Sequence, residues 1–210
     1  MKYKVMIVED QTMPRELFEL RIQSSEHFET ALSIDNASLA EVYCLRFPVD
    51  LILMDVVTRN GENGLDAAAK IKRAFPKIKI IIVTSMPEYS YLSRAREIGV
   101  ESFWYKEEQR ESLLDVMERT MAGESVYPDA TPELQLGLAS SYKFTDRELE
   151  VLREMTGGDT NQEIAERLHI SVATVKSHIL NMLEKTGFRN RTELAVRARE
   201  SGLVILNRKN

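Results

Sequence analysis

The 210-residue chain carries 28 Lys and Arg against 33 Asp and Glu, a net charge of −5, with 43% hydrophobic and 29% charged residues. At roughly 100 to 200 residues per domain this allows one large domain or two small ones, and the composition excludes a disordered or collagen-like chain. No apolar stretch approaches the ~20 residues that span a bilayer, and charges scattered through residues 1–20 leave no room for the centre of a secretory signal, so a cytoplasmic protein is expected. The single cysteine, Cys44, can form neither an internal disulfide nor a cysteine metal cage. The acidity is uneven. Residues 1–126 have net charge −5 and residues 143–210 net +2, and from Glu163 onward 9 basic residues stand against 5 acidic ones; that basic end permits contact with nucleic acid.

Three apolar runs without alternation, Val5–Val8, Leu51–Met54 and Ile80–Val83, predict strands buried on both faces of a parallel sheet. Thr30–Ile34 and Ser102–Tyr105 are weaker candidates. Helical spacing separates the five: Leu17, Leu20 and Ile22; Leu39, Val42 and Leu45 behind the cap pair Ser38 and Glu41; Leu65, Ala68, Ile71 and Ala74; Tyr91, Leu92, Ala95 and Ile98; Leu113, Leu114, Met117 and Met121. Residues 1–122 therefore predict an α/β fold, a doubly wound five-stranded parallel sheet with its ligand site at the carboxyl ends of the strands. Residues 123–142, with Pro128 and Pro132, read as a linker. Residues 143–210 predict an all-α domain of four helices. Capping boxes Thr145 with Glu148 and Thr160 with Glu163 open the first two, Ser171 caps a third that stops at Gly187, and Leu194, Ala195 and Ala198 mark a fourth ending near Gly202. The gap of His169, Ile170 and Ser171 between the second and third is the spacing of a helix-turn-helix.

Glu9 and Asp10, Asp55, Thr84 and Lys106 directly follow or end four of the predicted strands. Singly, each reads as a helix cap or a solvated charge. Together, three carboxylates, a hydroxyl and an ammonium on one sheet edge are costly unless a cation and an anionic ligand complete the site. Oxygen donors without His or Cys suit magnesium, held by Glu9, Asp10 and Asp55. Asp55 is then a candidate nucleophile toward phosphorus, with Lys106 and Thr84 contacting the oxygens. On the third helix of the second domain, Val172, Val175, Ile179, Met182 and Leu183 form an inner stripe that leaves Thr174, Lys176, Ser177, Leu180, Asn181 and Glu184 outside. Lys176 suits guanine acceptors or a phosphate, Asn181 suits adenine and Ser177 several base edges; Arg189 and Arg191 suit phosphates.

The succession VMIVED, LILMD, IIIVTS and FWYKE, with 22 positions from Thr84 to Lys106, resembles the receiver domain of bacterial two-component response regulators, a flavodoxin-like fold. The resemblance implies Asp55 as phosphoacceptor, Glu9 and Asp10 as carboxylates for Mg2+, Thr84 as switch hydroxyl, Phe103 as switch aromatic and Lys106 as the phosphate-pairing lysine. The loop VVTRNGENG after Asp55 departs from the family in lacking a proline and being one residue longer, and Glu107 stands where many receivers have proline. RELEVL, NQEIA, IS..TVK.H and KTG....RTEL in the C-terminal part resemble the LuxR-type helix-turn-helix of NarL/FixJ-type response regulators. Leu180 occupies a site where some relatives carry a basic residue. Together the resemblances imply a transcriptional regulator and not an enzyme. A sensor histidine kinase would phosphorylate Asp55, the receiver would form a homodimer through its fourth and fifth helices and last strand, near Tyr91 and Tyr105, and the dimer would bind operator half-sites in DNA, with RNA polymerase as a further partner. The competing reading, a magnesium-dependent phosphatase of similar topology, needs a second acid two positions after the nucleophile, where Val57 stands. Val57 and Met86 are also apolar where relatives orient a hydrolytic water, so slow loss of the phosphate is expected.

Overall fold

In the first of the two units into which the computed structural model divides, residues 1–130, strands and helices follow one another as β1 (Tyr3–Val8), α1 (Thr12–Gln23), β2 (Phe28–Ile34), α2 (Ala40–Cys44), β3 (Leu51–Met54), the two-residue strands β4 (Val57–Thr58) and β5 (Glu62–Asn63), α3 (Gly64–Ala74), β6 (Lys79–Thr84), α4 (Tyr89–Ile98), β7 (Ser102–Tyr105) and α5 (Leu113–Ala122). The structure describes residues 2–59, 62–85, 89–106, 111–129, 131–201 and 203–204; Met86, Glu107 and Gly202 lie outside them. The five long strands form one parallel sheet in the order β2-β1-β3-β6-β7. Val5, Ile7, Leu51, Leu53, Ile81, Val83 and Trp104 pack with Phe18 and Ile22 of α1 and with Leu113, Val116 and Met117 of α5. The alternate residues Met6, Val8, Ile52, Met54, Ile80 and Ile82 are equally buried and by the pleat face the side of α2, α3 and α4. Burial on both faces is why these strands read as unbroken apolar runs. The chain reverses direction across the sheet between β1 and β3, which opens the ligand crevice at their carboxyl ends.

Two helices bury different residues from those their spacing suggests. On α1 Ile22 is buried as its spacing suggests but pairs with Phe18, while Leu17 and Leu20 are 46% and 62% exposed; Phe18 meets Trp104 edge-on at 6.4 Å between centroids. Ahead of α2, a single 3-10 turn at Ala37–Leu39 is capped by Asn36, not by Ser38. There Ala37, Ala40 and Cys44 are buried, and Leu39, Val42 and Leu45 face outward. Small side chains line the inner side of this short helix, and the bulky aliphatics fall on its far side. Burial pushes the Cys44 thiol up to about 11, which leaves it protonated and inert.

The stretch expected to be a linker is shared between the units. Phe103 N donates to Val126 O at 2.8 Å and Val126 N to Ser102 Oγ at 3.1 Å, so the chain leaving α5 runs along β7. Residues 131–210 form the second unit, which adds to the four expected helices a hairpin of β8 (Gln135–Leu136) and β9 (Ala139–Ser140). Leu136 and Ala139 of this hairpin join a core with α6 (Asp146–Thr156), α7 (Asn161–Leu168), α8 (Val172–Thr186) and α9 (Arg191–Glu200). A side chain at Gly137 would meet the Thr186 carbonyl at 2.2 Å; the hairpin packs this tightly on the end of α8. Both capping boxes are formed, and Glu148 of the first also accepts from Lys185 Nζ at 2.6 and 2.8 Å, joining the start of α6 to the end of α8.

Burial pushes the Glu148 carboxyl up, but hydrogen bonds from Lys185 and Thr145, with the Lys185 charge, outweigh it and hold the group below its ordinary range. The stability it contributes is therefore complete above its unfolded pKa of about 4.3 and is lost as pH falls through the lower folded value. Glu148→Gln is expected to cost about 1 to 2 kcal/mol at pH 7, and the difference from wild type in thermal unfolding should close as the pH is taken to 3.

Candidate functional sites

The first site lies where β1, β3, β6 and β7 end. Glu9 is fully buried and Asp55 4% exposed, and both accept from Lys106 Nζ, at 2.5 and 2.8 Å respectively. Asp10 is exposed but near: one carboxylate oxygen from each of Glu9, Asp10 and Asp55 lies within 4.8 Å of the others. Thr84 is buried at the end of β6, and its carbonyl accepts from Lys106 N at 3.0 Å. The structure thus gathers Glu9, Asp10, Asp55 and Lys106, and places Thr84 one residue pairing away on the neighbouring strand. Phe103 is buried one turn of the pleat further back on β7.

Burial pushes the Asp55 carboxyl up to about 7; the Lys106 charge opposes this and the Glu9 charge adds to it. Burial likewise disfavours the Lys106 ammonium, but Asp55 and Glu9 outweigh it and hold its pKa above the usual value. One ammonium thus faces three carboxylates. The donor set fits a hard cation: the atoms are all oxygens, and their spread compares with the about 4 Å across an octahedron of 2.0–2.1 Å bonds. The excess negative charge supplies the attraction.

Three residues around this pocket carry no signal in the sequence. Gly64, the first residue of α3, lies so close to Asp55 that a Cβ would stand 1.9 Å from the Asp55 carbonyl oxygen. Arg15 of α1 donates from Nη1 to the Glu9 carbonyl at 3.0 Å. Thr58, buried in β4, accepts from Ala37 N at 2.9 Å and so ties the unusual loop after Asp55 to the loop after β2. Val57 is half-buried in the same strand and pairs with Asn63. A fourth, Tyr127, packs on Phe103 at 6.2 Å between ring centroids and under the Arg96 guanidinium at 4.5 Å, and its hydroxyl donates to Val100 O. Tyr91 and Tyr105, expected on or near a contact face, are buried.

The second site is the outer face of α8. Its inner residues Val175, Ile179 and Met182 are in the core, leaving Lys176, Ser177, Leu180, Asn181 and Glu184 exposed. Thr174 is half-buried, its hydroxyl within 2.8 Å of Ser171 Oγ at the helix cap. Arg189 is exposed. Arg191 is half-buried and spends two donors inside the unit, on Asn161 Oδ1 and Asp159 O, both at 2.8 Å, which clips α9 to the start of α7.

The response regulator receiver domain model matches residues 5–118, and the model of bacterial regulatory proteins of the luxR family matches residues 142–198. The chain is 31% identical to the response regulator protein VraR of Staphylococcus epidermidis over 97% of its own length and 100% of that protein's, and equally so to VraR of Staphylococcus aureus. Among solved structures it is similar in fold to RcsB of Salmonella enterica serovar Typhimurium bound to promoter rprA with phosphomimetic BeF3− (TM-score 0.59, 20% identity, 93% of this chain and 98% of that one). A structure of two RcsB dimers bound to two parallel DNAs gives a TM-score of 0.62 at 18% identity, over 95% and 98% of the two chains.

The Gly64 contact sets an expectation. Gly64→Ala must displace the Asp55 backbone and should lower stability by about 2 to 3 kcal/mol, the upper range for overpacking. Asn63→Ala, which removes the α3 cap, should cost about 1 kcal/mol. Urea unfolding of the two variants side by side checks this order.

Proposed function

The chain belongs to the DNA-binding response regulators of two-component systems, transcription factors made of a receiver and a LuxR-type DNA-binding domain, and on that premise we propose that Asp55 takes a phosphoryl group from a sensor histidine kinase and that this controls DNA binding by α8. The observation that carries the proposal is the convergence of Lys106 on Glu9 and Asp55. An Asp55 carboxylate oxygen attacks phosphorus, the bond from phosphorus to the donor histidine nitrogen breaks, and the imidazole leaves with a proton. Lys106, already at hydrogen-bond distance from Asp55, pairs with the oxygens that arrive, and the Thr84 hydroxyl reaches them from β6. Glu9, Asp10 and Asp55 would hold magnesium, which when bound offsets the charge of the phosphoryl oxygens. No second acid stands two positions after Asp55. Val57 fills that place, which disfavours hydrolysis and supports a long-lived acyl phosphate.

The phosphoryl group adds about −1.5 to −2 charge beside a pocket with one ammonium. Thr84 and Lys106 follow it inward, and Phe103 repacks, a local charge event biasing a two-state element. A single helix-turn-helix reads few base pairs, so two copies on half-sites about one helical turn apart supply specificity. Dimerisation is therefore the step that phosphorylation promotes. On the DNA, Lys176, Ser177, Leu180 and Asn181 face base edges, while Thr174, Arg189 and the remaining donors of Arg191 are near phosphates. Such a protein works in the cytoplasm; in keeping with this, no helix among the described residues is long and apolar enough to cross a membrane. Contact with RNA polymerase completes the proposed path to transcription.

With magnesium and a small phosphodonor, intact-mass analysis should show one phosphate on wild type and none on Asp55→Asn; equal labelling would move the acceptor elsewhere. Lys176→Ala should weaken operator binding by about 1 to 3 kcal/mol and relax the preference at one base pair. Titrations at several salt concentrations separate that outcome from a phosphate contact, whose loss weakens all sequences alike and lowers the salt slope by about 0.9.

A further inference from the structure

Leu180 is 57% exposed on a helix face that it shares with the small Ala173 and the polar Lys176, Ser177, Asn181 and Glu184. The core does not require it: Ile179 and Met182 are buried in the core cluster and Leu183 packs against it. Lys176 lies one turn before it and Ser177 three residues before it, so the three form one stripe along α8. At 1.5 Å per residue, Leu180 stands about 6 Å beyond Lys176, the rise of one to two base pairs. Its side chain has neither donor nor acceptor. In the major groove the one apolar feature that distinguishes a base pair is the C5-methyl group of thymine.

We propose that Leu180 is a specificity residue that reads a thymine methyl one or two base pairs from the pair facing Lys176. The proposal rests on α8 being the helix that enters the groove. Contact with the methyl removes apolar surface of both partners from water, whereas a cytosine or guanine at that place sets a polar edge against leucine and leaves it unsatisfied. The position also makes selectivity independent of charge: a basic residue there would favour guanine acceptors or a phosphate, and leucine favours neither.

The test uses the full-length chain, treated with phosphodonor, and an operator duplex selected from a random-sequence library. Each thymine is replaced in turn by deoxyuridine, which pairs identically but lacks the methyl, at one fixed salt concentration. One replacement per half-site should weaken wild-type binding about fourfold, the worth of one methyl-sized group leaving water. Leu180→Ala, which loses the contact at both half-sites of the dimer, should bind the thymine duplex about sixteenfold weaker and be indifferent to deoxyuridine at that one place; Leu180→Met, which keeps an apolar tip, should retain the methyl dependence. The proposal is overturned if no thymine is methyl-sensitive in wild type, or if Leu180→Ala keeps the same sensitivity. It is also overturned if Leu180→Ala instead lowers the sedimenting mass, which would make Leu180 a contact between copies. If Lys176→Ala also leaves sequence preference untouched, α8 is not the reading helix and the underlying assignment falls with it; a Lys176 effect without a Leu180 effect removes only the thymine contact.

Discussion

Everything at the first site depends on three carboxylates held around one ammonium at the point where the sheet changes direction. Burying a carboxylate costs several kcal/mol unless its charge is compensated, and Glu9 and Asp55 are both buried against the single Lys106. The surrounding fold supplies that cost. The buried residues Val5–Val8 of β1 and the fully buried β3 fix the two acids in place, Lys106 is delivered by the equally buried β7, and Gly64 lets α3 approach until its first residue touches the Asp55 carbonyl. The result is a pocket with surplus negative charge. On the proposed function a divalent cation would relieve that surplus, and the phosphoryl group would give Lys106 more oxygens to pair with. Binding at this edge thus draws on an imbalance created when the sheet folds.

The receiver strands were legible because burial on both faces leaves unbroken runs such as LILM and IIIV, and the site was legible because strand order brings every following residue to one edge. Helix faces were less so. Spacing favoured Leu17, Leu20 and Ile22, of which only Ile22 is buried, its partner on the sheet side of α1 being Phe18, and α2 buries Ala37, Ala40 and Cys44 in preference to larger neighbours. Periodicity identifies a stripe; shape complementarity with the sheet decides which of two adjacent stripes goes inward. Gly64 and Thr58 escaped for a related reason. Their importance comes from contacts with Asp55 and Ala37, which no local pattern records.

In the second unit the caps were readable because a capping box spans four residues. The Glu148 to Lys185 pair spans 37 positions and was not; it gives the capping glutamate a second task, pinning α6 to the end of α8. The outer face of α8 followed by subtraction once the inner stripe was set. Arg191 shows the limit of that method. Composition marks it as a basic residue for phosphates, yet its position at the start of α9 commits two donors to Asp159 and Asn161, so its first effect is on where α9 sits.

The chain leaving the receiver reads as a connector because it carries small residues and prolines, and its first residues are held against the first unit. Ser125 Oγ donates to Glu101 O, Val126 is hydrogen-bonded to both Ser102 and Phe103, and Tyr127 lies against Phe103 under Arg96. The departing segment is therefore fastened to β7, the strand that carries Phe103 and leads to Lys106. Phe103 cannot change its packing without altering its contact with Tyr127, and Arg96 belongs to α4, an element on the face expected to change with phosphorylation. The chain toward the second unit thus leaves from beside the strand that, on the proposed function, responds to Asp55. No long-range path through the core is required: a shift of Thr84 on β6, of Lys106 and Phe103 on β7, and of Tyr127 beside them involves neighbours at each step.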